Sequence, residues 1–206
     1  MDTTTLYLIR HGQVQGWEER RYNGQTDVDL TETGRRQLEA VARDLADVDL
    51  AAVYSSDLKR AAFGGRALVR DRGIDLVVEP GFRELHFGIW EGMSSDEVRE
   101  RYPGELERRY QNMTDHVIPG GETIREFWDR VGAKAWEVLV RHKGGNVAVV
   151  AHSGVNRAIL LQALGCGPDK IWRVDQGFGC LNVIEYFGDG ASLVKLANGP
   201  NPVQGQ

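Results

Sequence analysis

The sequence predicts an α/β protein: a three-layer α/β/α sandwich on a mostly parallel sheet, with an antiparallel edge hairpin and a helical, lid-like insertion. Short apolar runs that suit strands covered on both faces alternate with amphipathic helical segments in a βαβαβ rhythm. Two of these apolar runs end in a histidine. The last segments alternate around a glycine-rich turn, which is typical of a hairpin.

The first half of the chain supplies three predicted strands and two helices. Thr31 is the predicted N-cap of the first helix, whose apolar stripe ends near Asp47. The second helix is predicted to take its cap from residues 55–57 and to stop near Gly73. Right-handed crossovers make the flanking strands parallel. These strands are predicted at 6–9, 51–54 and 76–78.

The second half repeats the rhythm. Thr123 and Glu126 form a predicted capping box for a long helix that ends at the glycines 144 and 145. Ser153 opens another helix, which runs to about Leu164. Residues after Gly199 are predicted to fray. The strands of this half are predicted at 147–151, 181–186 and 192–196, the last two joined as the edge hairpin.

A charged insertion at about 92–119 lies between the elements of the first half and those of the second half. It is predicted to hold two short helices, at 94–101 and 105–111, with a Pro-Gly break between them. Two interpretations stay open for it: a solvated excursion without a role, or a lid over a site. Because no repeat, linker or low-complexity tract divides the chain, we take residues 1–206 as one domain.

Composition narrows the function classes. The chain has 206 residues, 41% hydrophobic and 27% charged, and its formal net charge is -5. We expect no nucleic-acid partner, because such binding needs a positive stripe, and no membrane partner, because no apolar run approaches ~20 residues. Without a basic, apolar leader we expect a cytoplasmic location. Cys166 and Cys180 lack ligand-like spacing, which favours two reduced thiols.

Chemically competent side chains follow several of the predicted strands. Ligands of open α/β sheets bind beyond the carboxyl ends of the strands. The predicted strand LYLI ends at Arg10-His11-Gly12. Taken alone, this ending fits a capped turn as well as a functional site. However, strand 147–151 ends the same way, in His152. Arg60 follows strand 51–54 by one helical turn, and Glu84 lies after Pro80.

These residue types favour phosphate chemistry. Two histidines and a glutamate could hold zinc, but neighbouring guanidinium groups repel a dication and suit an anion, so we expect no metal and no cofactor. One histidine can attack phosphorus while a protonated Glu84 supplies the proton of the leaving group. The arginines should disfavour protonation of the attacking imidazole.

Six motifs in this order resemble the histidine phosphatase superfamily, in the branch of the cofactor-dependent phosphoglycerate mutases: LIRHGQ, GQTDVDLTETG, VYSSDLKRA, RELHFGIWEG, IPGGET and VVAHSGVNRAI. The resemblance covers nearly the whole chain. It implies that His11 is the phosphorylated nucleophile and Glu84 the proton donor. It further implies that three side chains hold the phosphoryl group: Arg10, Arg60 and His152.

Within the superfamily, the resemblance favours hydrolysis of a small-molecule phosphomonoester. A mutase needs a long closed cover, and this chain is shorter than the usual mutases. The motifs are most similar to those of α-ribazole phosphatases, which act in cobalamin synthesis. The alternatives are a mutase-like enzyme, a broad sugar-phosphate or phosphoserine phosphatase, and an inactive binding module. Four aromatic side chains are candidates for stacking on a substrate base, and each could instead belong to the core: Trp17, Tyr22, Phe87 and Trp90.

The chain departs from the family pattern after His11. Val14 and Trp17 stand where relatives have Thr or Ser and a Trp-Asn pair, so the Asn that assists the phosphoryl group is missing from its place. Asn23 is a candidate substitute. We expect substrate contacts from four residues: Asn23, Gly24, Arg83 and Ser153. A homodimer through the edge hairpin is a further option.

Overall fold

A six-stranded sheet forms the centre of the part of the chain that the structure describes. The computed structural model describes residues 3–199, so the predicted fraying after Gly199 lies outside the described residues. The strand order is β3-β2-β4-β1-β5-β6, parallel from β3 to β1 and antiparallel from β1 to β6. The predicted mostly parallel sheet with an antiparallel edge hairpin is confirmed. Its strands are β1 Thr4–Arg10, β2 Leu50–Ser55, β3 Leu76–Val78, β4 Asn146–Ala151, β5 Leu181–Tyr186 and β6 Ser192–Leu196.

Six α-helices connect these strands among the described residues: α1 Glu32–Asp44, α2 Lys59–Val69, α3 Ser95–Arg101, α4 Glu105–Gln111, α5 Ile124–Arg141 and α6 Ser153–Ala163. The N-cap at Thr31 and the capping boxes that open α3 and α5 are confirmed. The predicted cap of α2 is wrong. Leu58 occupies that N-cap position without a side-chain bond, and the first helical N–H, that of Lys59, donates to Oδ1 of Asp27 at 2.8 Å. This helix also ends at Val69, before Gly73.

Two hydrophobic cores cover the two faces of the sheet. Leu8 of β1 packs in the core that faces α5 and α6, whereas its neighbour Ile9 packs in the core that faces α1 and α2. This alternation follows from the period of two along a strand. β1 and β4 therefore lie buried between two helical layers, and the three-layer prediction is confirmed. Among the described residues no helix combines the length and apolarity that a bilayer span requires.

The insertion has a small core of its own, made by Trp90, Val98, Leu106 and Ile118. Tyr22 packs against this core from outside the insertion, and it exchanges two backbone hydrogen bonds with the segment that enters α3. Its N–H donates to the Met93 carbonyl at 2.8 Å, and its carbonyl accepts the Gly92 N–H at 2.9 Å. The insertion is thus fastened to the loop that follows β1.

Candidate active site

The carboxyl ends of β1 and β4 bring two histidines together. These strands are parallel neighbours with Arg10 opposite Ala151, and the backbone N–H of His11 donates to the Ala151 carbonyl at 2.9 Å. The ring centroids of His11 and His152 lie 5.2 Å apart, edge to face. Two residues that are 141 positions apart in sequence (152 − 11) therefore share one floor at the edge of the sheet.

The hydrogen bond of His11 fixes which ring nitrogen is free. Nδ1 lies 2.8 Å from the Gly12 carbonyl, and a carbonyl can only accept, so Nδ1 carries the proton and Nε2 keeps its lone pair. Burial, followed by the charges of Arg60 and Arg10, holds the pKa of His11 well below its ordinary value. The arginines act in the predicted direction, but burial is the larger cause.

His152 is completely buried at the N-cap position of α6. Neither of its ring nitrogens has a hydrogen-bond partner among residues 3–199. Burial and then the charge of Arg60 hold its pKa well below the ordinary value. A neutral, unpartnered imidazole beside His11 is free to bond to an oxygen that enters the site.

Arg10 is held by a loop at the far end of the chain. One terminal nitrogen, Nη1, donates to the Gln176 carbonyl at 2.6 Å, and the guanidinium lies 4.0 Å from the ring centroid of Phe178. Burial lowers the pKa of Arg10 to about 10, so the group remains charged at neutral pH. The guanidinium is thereby fixed beside His11 as a cation.

Arg60 lies in the first turn of α2 and is almost fully buried. Its terminal nitrogens donate to the carbonyls of Gly24, at 2.5 Å, and Thr26, at 2.6 Å. Glu91 shapes that loop, because its carboxylate accepts the N–H groups of Gln25 and Thr26, both at 2.9 Å. A side chain from the insertion's border thus supports the loop that positions a buried guanidinium.

Glu84 is held in the site by two backbone donors. Its Oε2 accepts the Gly154 N–H at 2.9 Å, and its Oε1 accepts the Leu85 N–H at 3.0 Å. A Cβ on Gly154 would lie 2.3 Å from Oε1. The glycine after Ser153 is therefore what lets this carboxyl group reach the N-terminus of α6.

A cavity of about 480 Å³ opens over Arg10, His11, Arg60 and Glu84, whereas His152 is buried beside His11 and is not part of the lining. Of the predicted substrate contacts, Asn23, Gly24 and Ser153 line it. Arg83 is absent from the lining, and its guanidinium is paired with Asp57 through Nε at 2.8 Å from Oδ1 and through Nη2. Among the predicted stacking residues, three line the cavity and one does not: Trp17, Tyr22 and Phe87 line it, whereas Trp90 is a fully buried part of the insertion core.

Among the lining residues that sequence reasoning missed are Arg157, Trp172 and Phe178. Arg157 lies inside the HSGVNR motif, one helical turn after Ser153, so its position on α6 was the available signal. Its Nε donates to the Val174 carbonyl at 2.7 Å, and its guanidinium lies 5.1 Å from the centroid of a Trp172 ring. The other two aromatic residues lie in an irregular segment that carries no such signal.

The other three histidines lie outside the cavity lining. His86 accepts the Gly88 N–H at 3.1 Å, and His116 lies 3.2 Å from Glu105. His142, at the end of α5, is bonded to the Tyr54 hydroxyl at 2.9 Å, and burial lowers its pKa. These contacts are those of residues that support local structure.

Comparisons with known proteins agree with this geometry. Residues 6–199 match the model of the histidine phosphatase superfamily (branch 1). The chain is 38% identical over 196 residues to a bifunctional protein of Mycobacterium tuberculosis, covering 95% of this chain but 54% of that protein. It is 32% identical to phosphoserine phosphatase 1 of Hydrogenobacter thermophilus, covering 86% of this chain and 82% of the relative.

A solved structure is similar over nearly its whole length. The α-ribazole phosphatase of Shigella flexneri superposes with a TM-score of 0.84 at 27% identity, covering 95% of this chain and 96% of that one. The chain thus spans almost all of this structure but only about half the length of the mycobacterial relative.

Proposed function

We propose that this chain, which belongs to the histidine phosphatase superfamily, hydrolyses a small-molecule phosphomonoester through a phosphohistidine on His11. One observation carries this proposal. Nε2 of His11 keeps a lone pair between two arginines and a second neutral histidine, at the floor of a cavity that also holds Glu84. We assign catalytic roles to five residues: His11, Glu84, His152, Arg10 and Arg60.

In the first step Nε2 of His11 attacks phosphorus, and the bond from phosphorus to the ester oxygen breaks. A protonated Glu84 gives its proton to that oxygen, so the alcohol leaves neutral. Arg10, Arg60 and His152 surround the phosphoryl oxygens, where charge is spread in the transition state. Each of these groups is held by protein contacts before the substrate arrives, so little reorganisation is needed.

In the second step water attacks the phosphohistidine. The Glu84 carboxylate takes a proton from the water, phosphate leaves, and Nε2 of His11 regains its lone pair. Glu84 ends protonated, as it began, so atoms and charges balance over the cycle. Its place in the cavity lining, beside the N-terminus of α6, suits both roles.

Brief exposure to a ³²P-labelled phosphomonoester, followed by an acid quench, tests the intermediate. We expect acid-labile, alkali-stable label on the wild type and none on His11→Ala. His116→Gln is the matched control, because it changes a histidine outside the cavity lining, and it should keep the label. Equal labelling of His11→Ala and the wild type would contradict the assignment of the nucleophile.

For the substrate we propose α-ribazole 5′-phosphate. The cavity walls offer aromatic faces to a base, from Trp17 and Tyr22 on one segment and Trp172 on another. The similarity to the Shigella α-ribazole phosphatase supports the proposal. We expect this ester to give the highest kcat/KM in a panel with phosphoserine and 3-phosphoglycerate.

Phosphoserine is the second candidate. The relative from Hydrogenobacter thermophilus is a phosphoserine phosphatase, and the terminal nitrogens of Arg157 have no hydrogen-bond partner within residues 3–199, so they are available to a substrate carboxylate. A higher kcat/KM for phosphoserine than for α-ribazole 5′-phosphate in the same panel would favour this candidate.

Several broader predictions stay proposals. We infer that residues 1–206 form one domain with a lid-like insertion at about 92–119, although no residue of that range lines the cavity, and that the protein is cytoplasmic. We likewise propose a homodimer through the β5–β6 hairpin. We also propose substrate contacts from Asn23, Gly24 and Ser153, and a role in substrate binding for Arg83. The chain covers 54% of the mycobacterial relative, so we do not transfer the activity of that whole protein to this chain.

A further inference from the structure

The segment 176–179 contacts both Arg10 and His11, although it lies far from them in sequence. Its first residue, Gln176, offers its backbone carbonyl to Arg10 at 2.6 Å. The Phe178 ring lies 4.0 Å from the guanidinium carbon of Arg10 and 5.8 Å, centroid to centroid, from the His11 ring. Gly179 donates its N–H to the His11 carbonyl at 3.0 Å. The geometry of the phosphate site therefore depends on where this segment lies.

A reciprocal pair of side-chain amides fixes the segment from behind. Nε2 of Gln176 donates to Oδ1 of Asn182 at 2.8 Å, and Nδ2 of Asn182 donates back to Oε1 of Gln176 at 2.9 Å. Both residues are buried, Gln176 at 2% exposure and Asn182 at 0%. Burial of two amides is tolerated only when they are hydrogen-bonded, so this pairing is specific.

The pair is anchored to the central sheet and to the C-terminal segment. Asn182 lies in β5 and also donates to the Leu8 carbonyl of β1 at 2.9 Å. Asn198 closes the arrangement from the other side, because its N–H donates to Oδ1 of Asn182 at 2.8 Å and its own Oδ1 accepts the Gly177 N–H at 2.6 Å. The side-chain amide of the buried Asn156 lies 3.0 Å from Oε1 of Gln176.

We propose that Gln176 and Asn182 are positioning residues, which set the 176–179 segment and through it the Arg10 guanidinium for phosphoryl binding. Neither side chain lines the cavity, so they act through Arg10 and do not touch the substrate. The inference rests on the proposed function, because it assumes that Arg10 binds the phosphoryl group. A cluster of buried amides suits this task, since each orientation is fixed by several bonds.

A double-mutant cycle with Arg10 tests the proposal. With p-nitrophenyl phosphate we expect Gln176→Leu to lower kcat/KM by about tenfold to a hundredfold in the wild-type background. In the Arg10→Ala background the same change should lower it by less than about threefold, because the group that the pair positions is already gone. Equal fold-losses in the two backgrounds would overturn the proposal and indicate a general structural role.

Two further variants keep the test decisive if Gln176→Leu does not fold. Asn198→Gly keeps the left-handed backbone of that residue, at φ 51, and removes its side-chain bonds to the Gly177 N–H and to Asp175; it should give the same non-additivity with Arg10→Ala. Gln162→Leu is the matched control, since it removes a side-chain amide on α6 whose bond is to the Trp128 carbonyl, away from the site. It should lower kcat/KM equally, and by less than about twofold, in both backgrounds.

The proposed function and this inference can be told apart by the labelling experiment. If His11→Ala keeps the acid-labile label, the phosphohistidine is wrong whatever the cycle shows. If the label behaves as expected and the cycle is additive, the positioning role alone is wrong. Affinity for orthovanadate gives a readout without turnover, and Gln176→Leu should weaken it by about tenfold or more while Gln162→Leu does not change it.

Discussion

Gly154 donates its backbone N–H to Oε2 of Glu84 at 2.9 Å, and a Cβ on this glycine would lie 2.3 Å from Oε1 of the same carboxyl group. We therefore expect Gly154→Ala to displace Glu84. Loss of a general acid costs about 10²-fold or more, so kcat/KM should fall by that factor for an alkyl phosphate. The fall should be much smaller for p-nitrophenyl phosphate, whose leaving group needs little protonation.

Gly188→Ala is the control for this change, because a Cβ on Gly188 meets no atom within 4 Å. It should leave both esters unaffected. If Gly154→Ala lowers kcat/KM equally for the alkyl and the nitrophenyl ester, Glu84 does not act as the proton donor.

Glu91 organises the loop that holds Arg60. Its two carboxylate oxygens accept from the backbone of Gln25, Thr26 and Phe87. The amide in Glu91→Gln has only one accepting oxygen, so some of these donors lose their partner. We expect the free energy of unfolding to fall by about 1–3 kcal/mol, measured by urea denaturation, and KM for p-nitrophenyl phosphate to rise.

Glu32→Gln serves as the comparison. That glutamate is exposed on α1, and its Oε1 lies 3.9 Å from Nη1 of Arg36. It should change stability by less than about 0.5 kcal/mol. An unchanged unfolding free energy in Glu91→Gln would show that the loop is held by other contacts.

Stability should depend on pH through the two buried histidines. Folding holds the pKa values of His11 and His152 well below the ordinary 6.5. Below about pH 6.5 the unfolded chain therefore binds more protons than the folded one, and the free energy of unfolding falls on acidification. Each histidine contributes a slope of about 1.4 kcal/mol per pH unit there.

His152→Gln removes one of these two contributions. Urea titrations between about pH 7 and pH 5 should show a shallower dependence in the variant, by roughly one proton. If the wild type and His152→Gln have the same slope, this imidazole is not neutral in the folded state.

Trp172 tests the choice between the substrate candidates. Its side chain is 51% exposed at the cavity and stacks against Arg157. Loss of an aromatic stacking surface costs about 1 kcal/mol, so Trp172→Leu should lower kcat/KM for α-ribazole 5′-phosphate by about fivefold. Phosphoserine, which has no ring, should be less affected. A larger loss for phosphoserine would argue against stacking of a base.

Much of the site could be predicted because parallel strands deliver their last residues to one edge. His11 and His152 follow buried runs, and this local signal is enough to place them together once the sheet is recognised. Arg60 could be placed by its distance from a strand end. Periodicity likewise located most helices, and capping boxes fixed where α3 and α5 begin.

The rest depended on contacts that no local pattern encodes. Arg83 is of a residue type that binds phosphate, but its guanidinium is paired with Asp57. Trp90 resembles a stacking residue, yet it fills the core of the insertion. Gln176 and Asn182 matter through a pairing of buried amides whose partners are set by the tertiary fold, so their sequence neighbourhood does not reveal it.

The insertion has a small core of its own, and the backbone pairing of Tyr22 with the segment 92–93 joins it to the loop that follows β1. No residue of 92–119 lines the cavity, but two residues that do, Tyr22 and Phe87, pack against the core of the insertion. A change in the packing of the insertion would therefore reach the cavity through these two aromatic side chains, while the histidines and arginines on the inner strands keep their own supports.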